Sequence, residues 1–583
     1  MKLIVPIIAI ALSGLFILLN GETNLNLAHS KPDKVRNSQW VEQKLASMTL
    51  REKIAQMIIS NSFGYALDKN SKDYKKLRSL VTNSKIGGFI FFQGRSIEEA
   101  ELINDLQSMS ETPLLMSADF ERGTKMRLDD GSLFPSNMSL GATRDPKLSY
   151  EMGFQIAREC RAIGIHQNYA PVMDINNNPL NPIINVRSYG EDPELVSQMG
   201  DMFINGLQDG NVIATAKHFP GHGDTDIDSH SDLPIIKYGK DRLDRTELIP
   251  FKNAIDSKVR SVMIAHLSFP QIDPEPFAPA SLSYPIISGI LKQQLGFEGL
   301  VVTDALNMAG VTKHFSTTEV AIRCALAGVD LILMPQGEEE TISAIENGVK
   351  NGTIPESRIN ESAAKILSAK EWLKLNENKK VNVSNISQIV NNSFALDISQ
   401  RIADASITLV KNENAVPLKK GSGKYMLLSV NNGNEKANSD LFISEMRSRN
   451  VNDFPDAAVY DLSGEISSGT ISEIVQASAD FQNIVIPIYA KVKIKTGTVG
   501  LPASQLELIN SLISSGKKVI VISFGNPYLI QGFEQVSSYI CAYSDSESSI
   551  RAGVSCLLGE KRFKGKLPVS ISDKYKYGDG IVN

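Results

Sequence analysis

Cysteine is scarce in this chain. Four are spread over 583 residues, at Cys160, Cys324, Cys541 and Cys556. Each sits in an apolar helix-like or strand-like stretch, far from the others. That excludes a disulfide framework and a zinc-type Cys cluster, and leaves four small buried hydrophobes. Excess charge is lacking too. A formal net charge of −5 with no basic run gives no electrostatic footprint for nucleic acid. Internal repeats and low-complexity tracts are absent. Histidine numbers only seven, and three of the seven fall between Lys217 and Pro234.

The apolar and charged fractions, 42% and 21%, are those of an ordinary globular protein. The length exceeds what one core supports, so two or more domains are expected. The N-terminus departs from this pattern. Met1-Lys2 precedes an apolar run from Leu3 to Leu19. This reads as an export signal, and its length leaves an uncleaved membrane anchor open. No Ala-x-Ala cleavage site is clear, and no cysteine follows to carry a lipid. Residues 1–34 are therefore expected to be a signal peptide or anchor plus tether, on a protein that is exported: periplasmic, secreted or membrane-anchored.

A helix is expected from Trp40 through Glu52. Eight short apolar runs then alternate with helical patterns. They are Ile54 to Ser60, Gly87 to Phe92, Pro113 to Asp119, His166 to Asp174, Val212 to Phe219, Val259 to His266, Gly299 to Asp304 and Gly328 to Met334. Amphipathic stretches such as Glu151–Ile163 and Thr318–Ala327 lie between. The order predicts a (β/α)8 barrel over residues 35–376, with a doubly wound open sheet as the alternative. Residues 377–397, rich in Asn, Lys and Ser, read as a linker with some helix. A smaller α/β sandwich domain is expected over 398–583. Its strands are placed at Tyr425–Val430, Asn483–Ile488, Lys518–Ser523 and Ser538–Tyr543.

Polar residues end many of the barrel strands: Asp119, Asp174, Lys217, His218, His266 and Asp304. In a barrel those ends form one face, where active sites sit. The stretch Lys217-His-Phe-Pro-Gly-His-Gly-Asp-Thr-Asp-Ile-Asp-Ser-His-Ser-Asp-Leu-Pro234 opens from the fifth run into a polar loop. Gly221 and Gly223 let it turn sharply. Within it, Asp228 and His230 are two residues apart. In extended chain they project to one side, so the carboxylate can orient the imidazole. Asp304, at the end of a buried strand, reads equally as a functional carboxylate or as a helix N-cap. An aspartate nucleophile with a histidine proton donor suits glycoside hydrolysis, although most such enzymes use two carboxylates. A competing reading is a metal site made from His218, His222, His230 and nearby aspartates, but the spacing fits no common metal motif.

These residues resemble the bacterial β-N-acetylglucosaminidases of glycoside hydrolase family 3. The resemblance is carried by Lys217 to Gly223, Asp228-Ser-His230, Asn168 to Asp174, Asn181-Pro182, Arg187 to Pro193, the Asp304 strand, and Asp119 to Arg127 as Asp-x-Glu-x-Gly-x-x-x-Arg. The second domain is more weakly similar, at Lys411-Asn412, Gly525-Asn-Pro527 and Gly565 to Pro568. The resemblance implies Asp304 as nucleophile of a retaining, covalent mechanism, His230 as general acid/base and Asp228 as its partner. It implies that Asp119, Arg127, Arg187, Lys217 and His218 bind the non-reducing sugar, with an ion pair at the barrel mouth as the alternative role for Arg127. His222 and Asp224 are implied to shape the loop. No metal or organic cofactor is implied. The expected substrate is a small glycan or muropeptide, with terminal N-acetylglucosamine released from peptidoglycan fragments or related glycans. β-Glucosidase and phosphorylase activities of the same family are the variants. Arg122 stands where the family usually has a small residue, which bears on the outer pocket.

Overall fold

The structure, a computed structural model, describes residues 38–225, 232–418, 424–433, 435–450, 459–490 and 500–582. The N-terminal apolar run and the Asp228–His230 pair therefore lie outside the described residues. Among the described residues no helix is long and apolar enough to cross a membrane.

Eight parallel strands form the first sheet: β1 (Ile58–Gly64), β2 (Gly88–Gly94), β3 (Leu115–Ala118), β4 (Gln167–Asn168), β5 (Ile213–Phe219), β6 (Ser261–Ile264), β7 (Leu300–Thr303) and β8 (Ile332–Leu333). They pair in chain order, and β8 pairs with β1. The ring closes where the Thr303 N–H donates to Leu331 O (3.1 Å) and the Leu331 N–H to Val301 O (2.9 Å). The sheet is thus a (β/α)8 barrel and not an open doubly wound sheet. Its interior and the helix–sheet layer form one apolar core, running from Ile54 to Ile402.

Sequence expectation and structure differ at the first strand. The chain forms two helices, Gln39–Ser47 and Leu50–Gln56, and β1 begins only at Ile58. Thr49 starts the second helix. Its side chain accepts from the Glu52 N–H, while Glu52 accepts from the Thr49 N–H, a reciprocal cap that carries Ile54 and Ala55 into the helix. The fourth strand is also shorter than its apolar run. Beyond Asn168 the chain keeps only a bridge from Val172 to Lys217.

The second sheet has six strands: β9 (Thr408–Asn412), β10 (Tyr425–Asn431), β11 (Val459–Ser463), β12 (Asn483–Tyr489), β13 (Lys518–Ser523) and β14 (Ser538–Cys541). Their order is β11-β10-β12-β13-β14-β9, parallel except for antiparallel β9. Apolar clusters cover both faces, as a mostly parallel sheet between helices requires. The strands β9 and β11 were not expected. All four cysteines are buried and unpaired, as small core residues.

The chain between the two sheets is wound against the barrel. The Asn104 side chain bonds the Val381 backbone at 2.9 and 2.8 Å. Ile386, Val390 and Ala395 join the barrel core. In the other direction, the helix Asn137–Thr143 reaches out of the barrel, and its Met138 and Ala142 enter the core of the second sheet. Ser136 and Ser139 donate to the carbonyls of Tyr543 (2.9 Å) and Ala542 (3.2 Å). Asn176 donates to the Tyr528 hydroxyl at 2.8 Å.

Candidate active site

The C-terminal ends of the barrel strands surround a cavity of about 580 Å3. Six of the eight residues singled out from sequence line it: Asp119, Arg127, Arg187, Lys217, His218 and Asp304. The other two, Asp228 and His230, lie outside the described residues, and so does any contact between them.

Lys217, at the end of β5, is buried between two carboxylates. Its Nζ is 2.9 Å from Asp119 Oδ1 and 2.9 Å from Glu121 Oε1. Burial alone would lower the lysine pKa, but the two carboxylates raise it, so the ammonium is secure. Glu121 also takes a two-pronged bond from Arg187, Nε at 3.0 Å and Nη2 at 2.7 Å. Burial opposes ionisation of Glu121, but Arg187 and Lys217 outweigh it and hold the carboxyl well below its usual range. Arg127 Nη2 lies 3.3 Å from Asp119 Oδ2, and its guanidinium stands 5.2 Å over the Phe92 ring. The ion-pair role open to Arg127 from sequence is thus one it does fill.

His218 is oriented by Asp174, which is fully buried. The His218 Nδ1 is 2.6 Å from Asp174 Oδ2, and Arg187 Nη2 is 3.4 Å from Nε2. An ionised Asp174 can only accept, so the Nδ1 of His218 carries the hydrogen of this bond. Asp174 also accepts from the His222 N–H at 2.7 Å. The loop after β5 is therefore tied back to its start. Gly221 adopts φ 133°, and a side chain at Gly223 would meet the Ile175 carbonyl, so both glycines are required as the sequence suggested. The His222 Nδ1 is 3.1 Å from Thr225 Oγ1, and Asp224 pairs with Arg242 at 2.5 Å. Among the described residues, no group of three or more His, Cys, Asp or Glu side chains is arranged to hold a metal ion.

Asp304 follows β7 on the cavity floor. It caps no helix, since the next one, Ala309–Thr312, starts after Met308. Its Oδ1 accepts from the Ala305 N–H at 2.8 Å. Burial would raise its pKa. The His266 and His218 rings, the Ala305 N–H and Lys217 more than offset this and bring it down to about 2. A carboxylate held ionised at the end of a pocket is suited to act as a nucleophile or to stabilise a cation.

The match of residues 49–369 to the Glycosyl hydrolase family 3 N terminal domain, and of residues 407–579 to the Glycosyl hydrolase family 3 C-terminal domain, covers both sheets and every residue of this site. The chain belongs to glycoside hydrolase family 3. β-Hexosaminidase A of Pseudoalteromonas piscicida is 27% identical over 549 residues, 85% of this chain and 91% of that protein. Among solved structures, a family 3 β-N-acetylglucosaminidase from Paenibacillus sp. str. FPU-7 is 32% identical. The match covers 90% of this chain and 99% of that one, with a TM-score of 0.78. A β-glucoside phosphorylase is 27% identical with a TM-score of 0.81, covering 91% and 96%.

Five features of this family 3 pocket went unassigned in the sequence. Glu121 is the hub of the charge cluster, and its place two residues after Asp119 was the available signal. Asp174 was visible as a strand-end carboxylate, but its bond to His218 spans 44 residues. The second domain supplies Phe524, Gly525, Asn526 and Asp545 to the cavity wall. Arg122, the departure from the usual pattern, reaches across to Asp545 at 3.3 Å. Phe92, at the end of β2, forms part of the opposite wall.

Proposed function

We propose that this enzyme is an exo-acting, retaining β-N-acetylglucosaminidase. The observation that carries the reading is Asp304, ionised in the cavity at the barrel mouth beside a paired array of cations and carboxylates. The kinship with proteins called β-hexosaminidase and β-N-acetylglucosaminidase directs it to N-acetylhexosamine. Asp119, Arg127, Arg187, Lys217 and His218 bind the hydroxyls of the terminal sugar. Asp304 attacks the anomeric carbon as the bond to the leaving oxygen breaks, and His230, oriented by Asp228, gives that oxygen its proton. His230 then takes a proton from water, which displaces Asp304 and restores the original anomeric configuration. The physiological substrates are peptidoglycan fragments or related glycans. The Leu3–Leu19 apolar run supports work outside the cytoplasm, as a periplasmic, secreted or membrane-anchored enzyme.

The test compares aryl β-N-acetylglucosaminide with aryl β-glucoside, using wild type and His230→Ala. The N-acetyl substrate should be preferred. The variant should lose far less on leaving groups that need no proton. A preference for the glucoside, or an unaffected variant, overturns the reading. The likeness to a β-glucoside phosphorylase supports a second reading, in which phosphate replaces water. Adding phosphate would then divert the product to a sugar 1-phosphate.

A further inference from the structure

The ends of β1 and β2 carry aromatic rings for which the reaction above has no use. The two strands pair Asn61 with Ile90 and Ser62 with Phe91, and then shift register before Gly64 pairs with Gly94. Ile90 and Phe92 alternate onto the barrel interior and line the cavity. Asn61 and Phe63 alternate onto the same face of β1. Phe63 lies within the irregular stretch, the kind of place where a strand re-aims a side chain. Its ring stands 6.5 Å from that of Phe92, tilted by 54°. Phe63 is 54% exposed and Tyr65, just beyond, 38%. The strands end on Gly64 and Gly94, packed so closely that a side chain on Gly94 would strike the Gly64 backbone. No side chain from either terminal residue can fold back over the rings.

Phe92 therefore belongs to two surfaces at once. It walls the cavity that holds the charged floor, and it continues outward into an exposed phenyl ring. Arg127 fixes its position, paired with Asp119 on one side and standing over the ring. Hydroxyl-binding charges on the floor suit a single terminal sugar. Outside them a pyranose presents flat C–H faces, which an exposed aromatic ring can cover while the hydroxyls at the sugar's edge stay in water.

We propose that Phe63 and Phe92 form an aromatic shelf that binds the apolar face of the sugar on the leaving-group side of the cleaved bond. The proposal rests on the glycosidase reading and deepens it: the preferred substrate is an oligosaccharide with at least one further pyranose, not a single sugar on a small alcohol.

The experiment uses the full chain and Phe63→Ala, with Phe63→Tyr as the conservative variant. Substrates are β-1,4-linked N-acetylglucosamine trisaccharide and methyl β-N-acetylglucosaminide, whose leaving group is too small to reach the shelf. Phe63→Ala should raise KM for the trisaccharide about tenfold, leave kcat and the methyl glycoside within about twofold, and Phe63→Tyr should restore most of the loss. Equal losses on both substrates, or none on either, overturn the shelf. If wild type cleaves neither, the glycosidase reading fails. The shelf is then decided by calorimetric binding of the trisaccharide: about tenfold weaker binding to Phe63→Ala upholds it, and equal affinity overturns it.

Discussion

Glu121→Gln tests whether the charge cluster stands as described. The wild-type carboxylate binds Arg187 through two bonds of 3.0 and 2.7 Å and Lys217 at 2.9 Å. Glutamine keeps one acceptor oxygen and nearly the same shape, but removes the negative charge between the buried Lys217 and the partly buried Arg187. Breaking a buried pair by removing one partner costs about 3–5 kcal/mol. The retained acceptor and the remaining Asp119–Lys217 bond put the expected loss near the lower end, about 3 kcal/mol. With an m value of about 3 kcal/mol/M, that shifts the urea midpoint by roughly 1 M. The sign with pH follows from linkage. Glu121 is held well below its usual pKa, so its contribution is complete above the unfolded carboxylate range and is lost as pH falls through and below it. The difference between wild type and variant should therefore be full at pH 7 and shrink steadily below about pH 4. Paired urea titrations at pH 7, 5 and 3.5 measure it, and effects common to both proteins cancel. A difference under about 1 kcal/mol at pH 7, or one that stays constant with pH, would refute the assignment of Glu121 as an ionised hub.

Three further outcomes are expected. Asp304 titrates at about 2, so kcat/KM should show no acid limb from this group while the fold persists; an inflection near pH 4 in folded enzyme would count against its being held ionised. Asp304→Asn should lower kcat at least about a thousandfold in enzyme that stays folded at the assay temperature, and residual activity above about 1% would exclude it as nucleophile. Lys370 is buried at the foot of the barrel, bonded to Gln56 Oε1 (2.6 Å) and Gly87 O (3.0 Å), and burial draws its pKa down to about 7. Its folded pKa lies below the unfolded one, so wild type should gain stability relative to Lys370→Met between pH 7 and 10, and a flat difference would contradict this.

Much of the barrel was legible because its strands are buried on both faces. Such strands appear as apolar runs, and the residues that end them appear as isolated polar positions. What misled was local. Ile54 to Gln56 is as apolar as a strand, but it lies one turn inside a helix opened by Thr49 and Glu52, and that Thr-x-x-Glu pattern was present to be read. In the second sheet, β11 is a half-exposed edge strand, so its side chains lack the apolar run that marked β10 and β12. β9 is five residues long and directly follows a helix, which disguised it as that helix's end. The charged floor was legible as a set of strand ends, though the pairings within it were not. Bonds such as Lys217–Asp119 and His218–Asp174 span 98 and 44 residues and exist only once the barrel closes.

The division between what could and could not be read has a physical basis that bears on specificity. On the floor, Lys217 and Glu121 are buried, and each is satisfied by ionised partners, Asp119 and Arg187 included. Changing one residue strands a charge, so the floor tolerates little variation in type or spacing. The rim is under no such constraint. Phe63 is exposed, and the Arg122–Asp545 pair joins two partly exposed side chains from different domains at 3.3 Å. Exchanging Phe63 costs little stability, because its ring already faces water, and a partly exposed ion pair such as Arg122–Asp545 contributes modestly. Selection on the leaving group can therefore act through the rim alone. The prediction that follows is a split between the two double variants. Arg122→Ala with Asp545→Ala should change the relative rates on different leaving groups while the fold and the rate on a small methyl glycoside persist. Asp119→Ala with Glu121→Ala should abolish turnover of every substrate together. Loss of the methyl glycoside rate in the Arg122/Asp545 variant would mean that the second domain shapes the floor itself, and the separation of floor from rim would fail.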